Sequence, residues 1–378
     1  MLFVCVGHFS YVYFAQTSPQ VEELIHLGLG VGRVGAPCFM VLSGILLGFL
    51  WQKNKGAFQQ TQAKLIDRAF FLLIIAHPII ALMHTAEQSV LAALGHLYFT
   101  DLVAFCVVMG SMLVPKIPVG MRLLLLLAVN FLSTAASLKW EPNSVPLLIF
   151  RDSIFGSYQV GLHYSHLPYL PWFSLYLFGT CVGEVIAGSH FGRKSGRTFH
   201  ILIGCSITAL ALAMLMRIIY KLLTEDQILF DGDLRYYALF ASPSQKFPPG
   251  PFFVLFYVGL GLGMLSIIYL LDRTVRISKH LEILSIIGRN SLLVFVVQEG
   301  VYFLLLNRFV RFSSPSAISF WPLYFIASLA LIVAAAILLD RARLSGYMTV
   351  GYPRLLHLMR EELMPLFYGV KHPAKPHS

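Results

Sequence analysis

Long apolar runs, separated by shorter polar segments, dominate this sequence and constrain its fold more than any other feature. A helix needs about 20 mostly apolar residues to cross the hydrocarbon core of a bilayer, and a spanning segment must satisfy its own backbone hydrogen bonds. The ten apolar runs cover residues 1–15, 29–50, 69–83, 88–114, 121–138, 172–188, 200–222, 250–271, 283–306 and 321–339. We therefore predict an all-α, polytopic integral membrane protein with about ten transmembrane helices.

The composition indicates lipid as the solvent and excludes several classes of protein. Hydrophobic residues make up 57% of the chain and charged residues 12%, whereas soluble domains carry about 25% charged residues. The net charge of +10 does not indicate a nucleic-acid partner, because the basic residues stand singly or in small groups between apolar runs. The five cysteines lie in apolar runs without CxxC spacing, so neither a metal site nor a disulfide framework is expected.

The distribution of Lys and Arg predicts how the chain is oriented, because cytoplasmic loops carry an excess of basic residues. We place residues 51–68 on the cytoplasmic side, so that successive connecting segments alternate between the two sides. The segments on the cytoplasmic side then hold Lys53, Lys55, Lys64, Arg68, Lys116, Arg122, Arg193, Lys194, Arg197, Arg273, Arg276, Lys279, Arg341 and Arg343. The outside segments then hold Lys139, Arg151, Arg235, Lys246, Arg308 and Arg311. Both termini are therefore expected in the cytoplasm, and we expect the membrane to be the bacterial cytoplasmic (inner) membrane.

The first apolar run, MLFVCVGHFSYVYF, is short for a span and has no basic segment ahead of it. A signal peptide would need that segment and a small-residue cleavage site. We therefore interpret the run as the outer part of a first helix whose start is missing, either through a misplaced start codon or in an inactive protein. Residues 1–340 are expected to form one helical domain, and the more polar residues 341–378 a cytoplasmic tail.

Ionisable side chains within or beside the apolar runs are candidate functional residues, because burying an unpaired charge in lipid is costly. They are His8, Arg33, His77, His96, Asp101, Glu184, Arg217 and Glu299. His8 lies near the outer end of the first helix among aromatic residues. It is either an interfacial histidine or a general base, since imidazole can take a proton near neutral pH.

Two arginines each have two open interpretations. Arg33, in a glycine-rich stretch at the outer mouth of the second helix, either reaches the interface or binds an anionic or acyl group. Arg68, at the inner end of the third helix, is either an ordinary basic flank or part of a phosphate clamp. The glycines near Arg33 are expected to allow close helix packing; they are Gly28, Gly30, Gly32, Gly35 and Gly44.

The remaining polar residues fall on the third, fourth and ninth helices. His77 precedes a proline and would help to satisfy the backbone at a kink. His96 and Asp101 are at positions i and i+5 of one helix, so they do not form an obvious pair. Glu299 follows Gln298 about two turns into the ninth helix, where we expect it to be paired or to line a water-filled cavity.

Three segments, taken in order, form a set that can be compared with known families. They are the first helix ending after His8, APCFMVLSGILLGF (Ala36 to Phe49) and GRNSLLVFVVQEGVYF (Gly288 to Phe303). Together they resemble the transmembrane acyltransferases, most closely the heparan-α-glucosaminide N-acetyltransferase-like branch. LPYLPWFSLYLFGTCVGE and KFPPGPFFVLFYVGLG are similar to further parts of that pattern, so the resemblance covers most of the chain.

The resemblance implies transfer of an acyl group, usually acetyl, from cytoplasmic acyl-CoA to a sugar amine or hydroxyl beyond the membrane. It implies that His8 is the catalytic residue and that Asn290 is the family's asparagine of the late helix. Gln298 stands where the family has a histidine, so a second imidazole is not expected at that position. The candidate residues for substrate or cofactor binding are Arg33, Ser43, Arg68, Asp101, Arg289, Asn290, Gln298 and Glu299.

The physical chemistry of the donor agrees with this arrangement. Acyl-CoA is strongly anionic and cannot cross hydrocarbon, so basic groups facing inward, such as Arg68, Arg122 or Arg289, are candidates to bind its phosphates. The expected partners are the lipid bilayer, acetyl-CoA or another acyl-CoA as donor, and a glycan or other sugar acceptor. No nucleic acid and no metal are expected, and a homodimer is an open option.

Two alternatives are retained. The first is an acyltransferase-3-type O-acyl or succinyl transferase of a glycan, which shares the LSG helix and the first helix with its histidine. The second is a transporter or flippase for a glycan or lipid, without acyl transfer. Transporters are often built from inverted repeats, and no such repeat is evident in this sequence.

Overall fold

Helices form the regular structure of the part of the chain that can be described. The computed structural model describes residues 1–14, 22–85, 89–156, 167–191, 196–225, 241–242, 249–275, 282–308, 320–343 and 349–352. The helices are α1 (Leu2–Phe14), α2 (Glu22–Gly32), α3 (Gly35–Lys53), α4 (Phe58–Phe71), α5 (His77–Met83), α6 (Val90–Gly95), α7 (Phe99–Leu113), α8 (Val119–Lys139), α9 (Val145–Ile154), α10 (Tyr169–Phe191), α11 (Gly196–Glu225), α12 (Pro251–Val275), α13 (Glu282–Arg289), α14 (Ser291–Glu299) and α15 (Trp321–Arg341). Two π-helical segments, Leu72–Ala76 and Gly300–Leu306, follow α4 and α14.

Eight helical segments within these ranges are long and apolar enough to cross a membrane. They are His26–Lys53, Lys55–Met83, Val90–Leu113, Val119–Lys139, Tyr169–Gly188, Arg197–Leu222, Pro251–Thr274 and Trp321–Arg341. A ninth is present if α13 and the helix after it count as one bent span, and α1 is a shorter apolar helix of 13 residues. Every predicted apolar run contains a helix, and the prediction of an all-α polytopic membrane protein is confirmed.

The run at 283–306 departs from a straight span, because its two helices meet at an angle of 84°. The break lies at Asn290, between α13 and α14. On α13, Ile283 and Leu284 are exposed, whereas Ile286 and Ile287 pack against the core. This two-sided pattern, on a helix almost perpendicular to the next one, is typical of a helix lying in the membrane interface. The span itself therefore begins after Asn290.

Closely packed glycines hold α3 against α10. A Cβ atom at Gly44 would clash with the backbone oxygen of Tyr176, and one at Gly179 with that of Val41. In lipid, where there is no hydrophobic drive between helices, small residues allow backbones to approach and gain van der Waals contact. This pair of helices therefore forms the tightly packed centre of the bundle.

The glycines near Arg33 were predicted to allow close helix packing, and all but one of them do so. A Cβ atom at Gly28, Gly32 or Gly35 would clash with atoms of α1, so these glycines allow close packing as predicted. For Gly30 the prediction is wrong, since a Cβ atom there would have no other atom within 4 Å. The close packing fixes α1 against the span His26–Lys53, which contains the end of α2 and all of α3.

The segment at 349–352 is bound to α4 through one carboxylate. Asp67 accepts hydrogen bonds from the backbone N–H groups of Val350 and Tyr352, at 3.0 and 2.9 Å, and from the hydroxyl of Thr349. The ring of Tyr352 also lies 5.4 Å from that of Phe70. Asp67 belongs to the helical segment Lys55–Met83 and lies about 25 Å before His84 along it, at 1.5 Å per residue.

Candidate active site

His8 lies at the centre of a polar cluster between α1 and α14. Its Nδ1 atom is 3.4 Å from Oε1 of Glu299 and 3.1 Å from Nε2 of Gln298. Gln298 also lies 3.4 Å from the same carboxylate oxygen. The His8 side chain is 27% exposed, whereas that of Glu299 is 7% exposed, so the imidazole is accessible and the carboxylate is not.

A second imidazole contacts the other oxygen of the same carboxylate. Nε2 of His84 lies 3.1 Å from Oε2 of Glu299, and the His84 side chain is 14% exposed. Glu299 is thus paired, as expected for a carboxylate at this depth, and each of its oxygens faces a different histidine. A buried carboxylate needs such partners because desolvation otherwise makes its charge costly.

Aromatic rings enclose the cluster and keep its surroundings apolar. The ring of His8 lies 5.3 Å from that of Phe303 and 6.4 Å from those of Phe295 and Tyr302. The ring of His84 lies 4.3 Å from that of Phe303. Electrostatic interactions are stronger in such a low-dielectric environment than in water. The contacts of Glu299 with the two imidazoles are therefore screened less than they would be in water.

Both π-helical segments adjoin the cluster. Gly300–Leu306 begins directly after Glu299, and Leu72–Ala76 ends one residue before His77. A π-helical turn changes the angular position of the residues after it, and such turns occur frequently at functional sites. Leu72–Ala76 precedes His77 and His84, so this turn affects the direction in which those two histidines face.

A second histidine–carboxylate pair lies next to the first. Nδ1 of His77 is 2.8 Å from Oδ2 of Asp101, and Nε2 of His77 is 3.1 Å from the backbone oxygen of Leu94. The same Asp101 oxygen accepts the backbone N–H of Tyr98 at 2.8 Å. The ring of Tyr98 lies 5.5 Å from that of His77 and 5.3 Å from that of His84, so it separates the two pairs.

This pair changes the interpretation of two residues. His77 binds a carboxylate and a backbone oxygen of the next helical segment, beyond the predicted role at a kink. The ring of His96 contacts that of Tyr98 at 5.3 Å, in agreement with the prediction that His96 and Asp101 are not an obvious pair. The partner of Asp101 is in another apolar run, so spacing within one helix did not indicate it.

A separate polar group lies at the break between α13 and α14. Nδ2 of Asn290 donates to Oδ1 of Asp340 at 2.8 Å and to the backbone oxygen of Ile286 at 3.0 Å. Nη2 of Arg289 is 3.3 Å from Oδ2 of Asp340, and the Arg289 side chain is 60% exposed. Arg289 is therefore accessible, while Asn290 fixes the bend.

The arginines proposed for phosphate binding fall into two groups. Arg68 is exposed, next to the buried Asp67. Arg122 is fully buried and binds Glu184, the Thr180 hydroxyl and the backbone oxygen of Ile117, the last two at 2.8 and 3.0 Å. Its assignment as a phosphate-binding group is wrong, because its donors are engaged inside the bundle between α8 and α10.

Two further candidates lie near the start of α3. Arg33 is half-buried in the turn between α2 and α3, on the same side of the bundle as Tyr257, with which it interacts electrostatically. Ser43 is half-buried on α3, beside the glycine that packs against α10. Of the sequence-predicted site residues, the structure brings His8, Gln298 and Glu299 into direct contact.

His84 is the residue of the cluster that sequence reasoning missed. It lies directly after the third apolar run, 69–83, and is not among the candidate residues predicted from the sequence. One signal was available, because His77 and His84 are seven positions apart, which places them on one face of a helix. In the described part of the chain, no group of three or more His, Cys, Asp or Glu side chains has a metal-binding arrangement.

The comparison with known families agrees with a site of this chemistry. A family model described as an acyltransferase domain, that of the acyltransferase-3 family, matches residues 1–340. The chain belongs to the acyltransferase-3 family. As a member of it, the protein is a membrane acyltransferase. The match does not single out the heparan-α-glucosaminide N-acetyltransferase-like branch. No curated protein and no solved structure matches this acyltransferase-3 member.

Proposed function

We propose that this acyltransferase-3 protein transfers an acyl group, in the simplest case acetyl, from cytoplasmic acyl-CoA to a sugar hydroxyl on the outer side of the membrane. One observation carries the proposal: the accessible imidazole of His8 contacts the buried carboxylate of Glu299. A histidine supported by a carboxylate is the arrangement that activates a hydroxyl group for attack on a carbonyl carbon.

His8 acts as the general base. When Nδ1–H of His8 donates to Glu299, Nε2 is the ring nitrogen that takes the proton of the acceptor hydroxyl. This tautomer requires the Gln298 amide to turn its oxygen, which is buried without a hydrogen-bond partner, toward Nδ1 in place of its nitrogen. The hydroxyl oxygen then attacks the thioester carbonyl, the carbon–sulfur bond breaks, and the proton on His8 passes to the leaving thiolate. Glu299 stabilises the imidazolium form of His8 between these two proton transfers.

A hydroxyl acceptor suits this pair better than an amine. A neutral sugar amine is already a good nucleophile, whereas a hydroxyl must lose its proton as it attacks. The carboxylate behind His8 is therefore most useful for ester formation. This favours O-acyl transfer to a glycan over N-acetylation, the other acceptor chemistry implied by the resemblance.

The donor binds at the opposite end of the bundle, where Arg68 and Arg289 are exposed. Guanidinium groups bind phosphate in a bidentate geometry, and Asn290 holds the bend beside Arg289. Along the span Lys55–Met83, Arg68 and His84 are about 24 Å apart at 1.5 Å per residue, less than the hydrocarbon thickness of about 30 Å. The pantetheine arm joins the CoA phosphates to the thioester. In this proposal it spans the distance from the exposed arginines to the histidine cluster.

The other candidate residues are assigned to the substrate path. Arg33, Ser43 and Asp101 are proposed to contact the acceptor or the acyl group, and Gln298 to hold His8 in place. We place the protein in the bacterial inner membrane with both termini in the cytoplasm, in accordance with the distribution of basic residues. A homodimer is compatible with this arrangement.

The proposal is tested with purified protein, radiolabelled acetyl-CoA and a panel of oligosaccharides. We expect label to enter an oligosaccharide and to be released by mild alkali, which cleaves acetyl esters but not acetamides. Label that resists alkali would identify an amine acceptor and contradict O-acyl transfer. Binding of acetyl-CoA without label in any oligosaccharide of the panel would contradict transfer to a sugar.

A further inference from the structure

The imidazole of His84 lies on the far side of the Glu299 carboxylate from His8. We propose that His84 is a positioning residue of the active site, which holds Glu299 so that its other oxygen faces the catalytic base. The inference rests on the proposed function, since it assigns a role within the same site. The family resemblance did not indicate this residue, because the histidine that it implied is replaced by Gln298.

The geometry divides the two carboxylate oxygens between two histidines. Oε1 is 3.4 Å from Nδ1 of His8, and Oε2 is 3.1 Å from Nε2 of His84. A carboxylate that accepts hydrogen bonds on both oxygens cannot rotate freely about its last bond. The contact with His84 therefore determines which direction the Glu299 oxygens face.

His84 is itself held in a fixed orientation. Its backbone N–H is bonded to the carbonyl oxygens of Ile80 and Ala81, at 3.2 and 3.1 Å, at the end of α5. Its ring is enclosed by the rings of Phe303 at 4.3 Å and Tyr98 at 5.3 Å. A residue that orients a catalytic group needs such support, because loss of alignment by about 1 Å is costly to catalysis.

The location of His84 distinguishes it from the base. It is half as exposed as His8, with 14% against 27% of the side chain accessible, and the ring of Phe303 covers it. His8 is therefore the imidazole that meets the acceptor, and His84 acts through Glu299. A positioning role requires a hydrogen-bond donor at the place of Nε2, but it does not require a group that exchanges protons.

The test compares two substitutions of His84. In His84→Gln, the amide nitrogen can donate to Glu299 in place of Nε2, whereas His84→Leu removes the donor. We expect His84→Leu to lower kcat by about 10- to 100-fold, the effect of losing a hydrogen bond to a charged group, with KM for acetyl-CoA unchanged. We expect His84→Gln to retain most of the activity. His200→Leu, which replaces an exposed histidine of α11, is the control.

A double substitution separates this role from a purely structural one. If His84 acts through Glu299, His84→Leu should have no further effect on kcat in protein that already carries Glu299→Gln. Additive losses would overturn the proposal, as would a His84→Gln protein as inactive as His84→Leu. If His84→Leu does not fold, the smaller substitution His84→Ala, which also removes the donor, takes its place in both comparisons.

The same assay distinguishes failure of this inference from failure of the proposed function. His8→Ala abolishes transfer if the proposed base is correct. Loss of activity in His8→Ala together with full activity in His84→Leu would overturn the role of His84 alone. Full activity in His8→Ala would overturn the proposed base, whatever the His84 variants do.

Discussion

Nε2 of His84 lies 3.1 Å from Oε2 of Glu299, although 215 positions separate the two residues in the chain. The contact joins the end of α5 to the end of α14. Because Glu299 also meets His8, this one carboxylate connects three separate helical segments around the candidate active site.

Replacing Glu299 by glutamine should reduce catalysis strongly while leaving donor binding intact. The amide has nearly the same shape but cannot stabilise the imidazolium form of His8, so we expect kcat to fall by roughly 100-fold or more. KM for acetyl-CoA should not change. Glu282→Gln, at an exposed carboxylate of α13, is the matched control. A Glu299→Gln enzyme with the kcat of wild type would show that the carboxylate does not support the base.

Replacing the exposed arginines at the proposed donor-binding end of the bundle should change KM for acetyl-CoA and leave kcat constant. Arg68→Ala and Arg289→Ala remove contacts to CoA phosphates that are equal in ground and transition states, so KM should rise and kcat should stay constant. An increase in KM of about tenfold is expected for each. Arg217→Ala, at an exposed arginine of α11, should leave KM unchanged. Equal KM values in all three variants would contradict donor binding by Arg68 and Arg289.

Breaking the buried ion pair between α8 and α10 should destabilise the protein. Arg122→Leu leaves the carboxylate of Glu184 without its partner, and removal of one member of a buried pair costs about 3–5 kcal/mol. The midpoint of thermal unfolding in detergent should therefore fall. The double variant Arg122→Leu, Glu184→Leu should regain part of that loss. A single variant with the stability of wild type would show that the pair does not hold these helices together.

A larger side chain at the α3–α10 contact should prevent correct folding. In Gly44→Leu the new side chain would clash with the backbone of Tyr176, and neither helix can move away without losing the close packing of the bundle. We expect little monodisperse protein by size-exclusion chromatography. Gly204→Leu is the control, because a Cβ atom at Gly204 on α11 meets nothing within 4 Å. Normal yields of both variants would contradict the tight contact.

The sequence was sufficient to predict the helical membrane fold, because run length and hydropathy are local properties. It was not sufficient to predict the bend at Asn290. Apolar residues continue on both sides of the short segment 288–291, and only the angle between α13 and α14 shows that the first helix lies across the span. The assignment of Arg122 failed for a related reason, since a basic residue at the end of a span can face either the cytoplasm or the bundle interior.

The candidate site could be predicted in part. His8, Gln298 and Glu299 were selected because charged and polar residues are costly in lipid and because their segments resemble a known family. The contacts of His77 with Asp101 and of His84 with Glu299 join residues in different helical segments. Such pairs depend on how helices pack, which no pattern within a single helix determines.

The most direct test of the account is the rate of acetyl transfer by His8→Ala. Wild type and variant are reconstituted in liposomes with radiolabelled acetyl-CoA and the acceptor identified by the panel experiment, and label in the acceptor is measured over time. If His8 is the general base, wild type transfers label to the acceptor and His8→Ala transfers none above background, with acetyl-CoA binding retained. Transfer by His8→Ala at the wild-type rate would contradict that role.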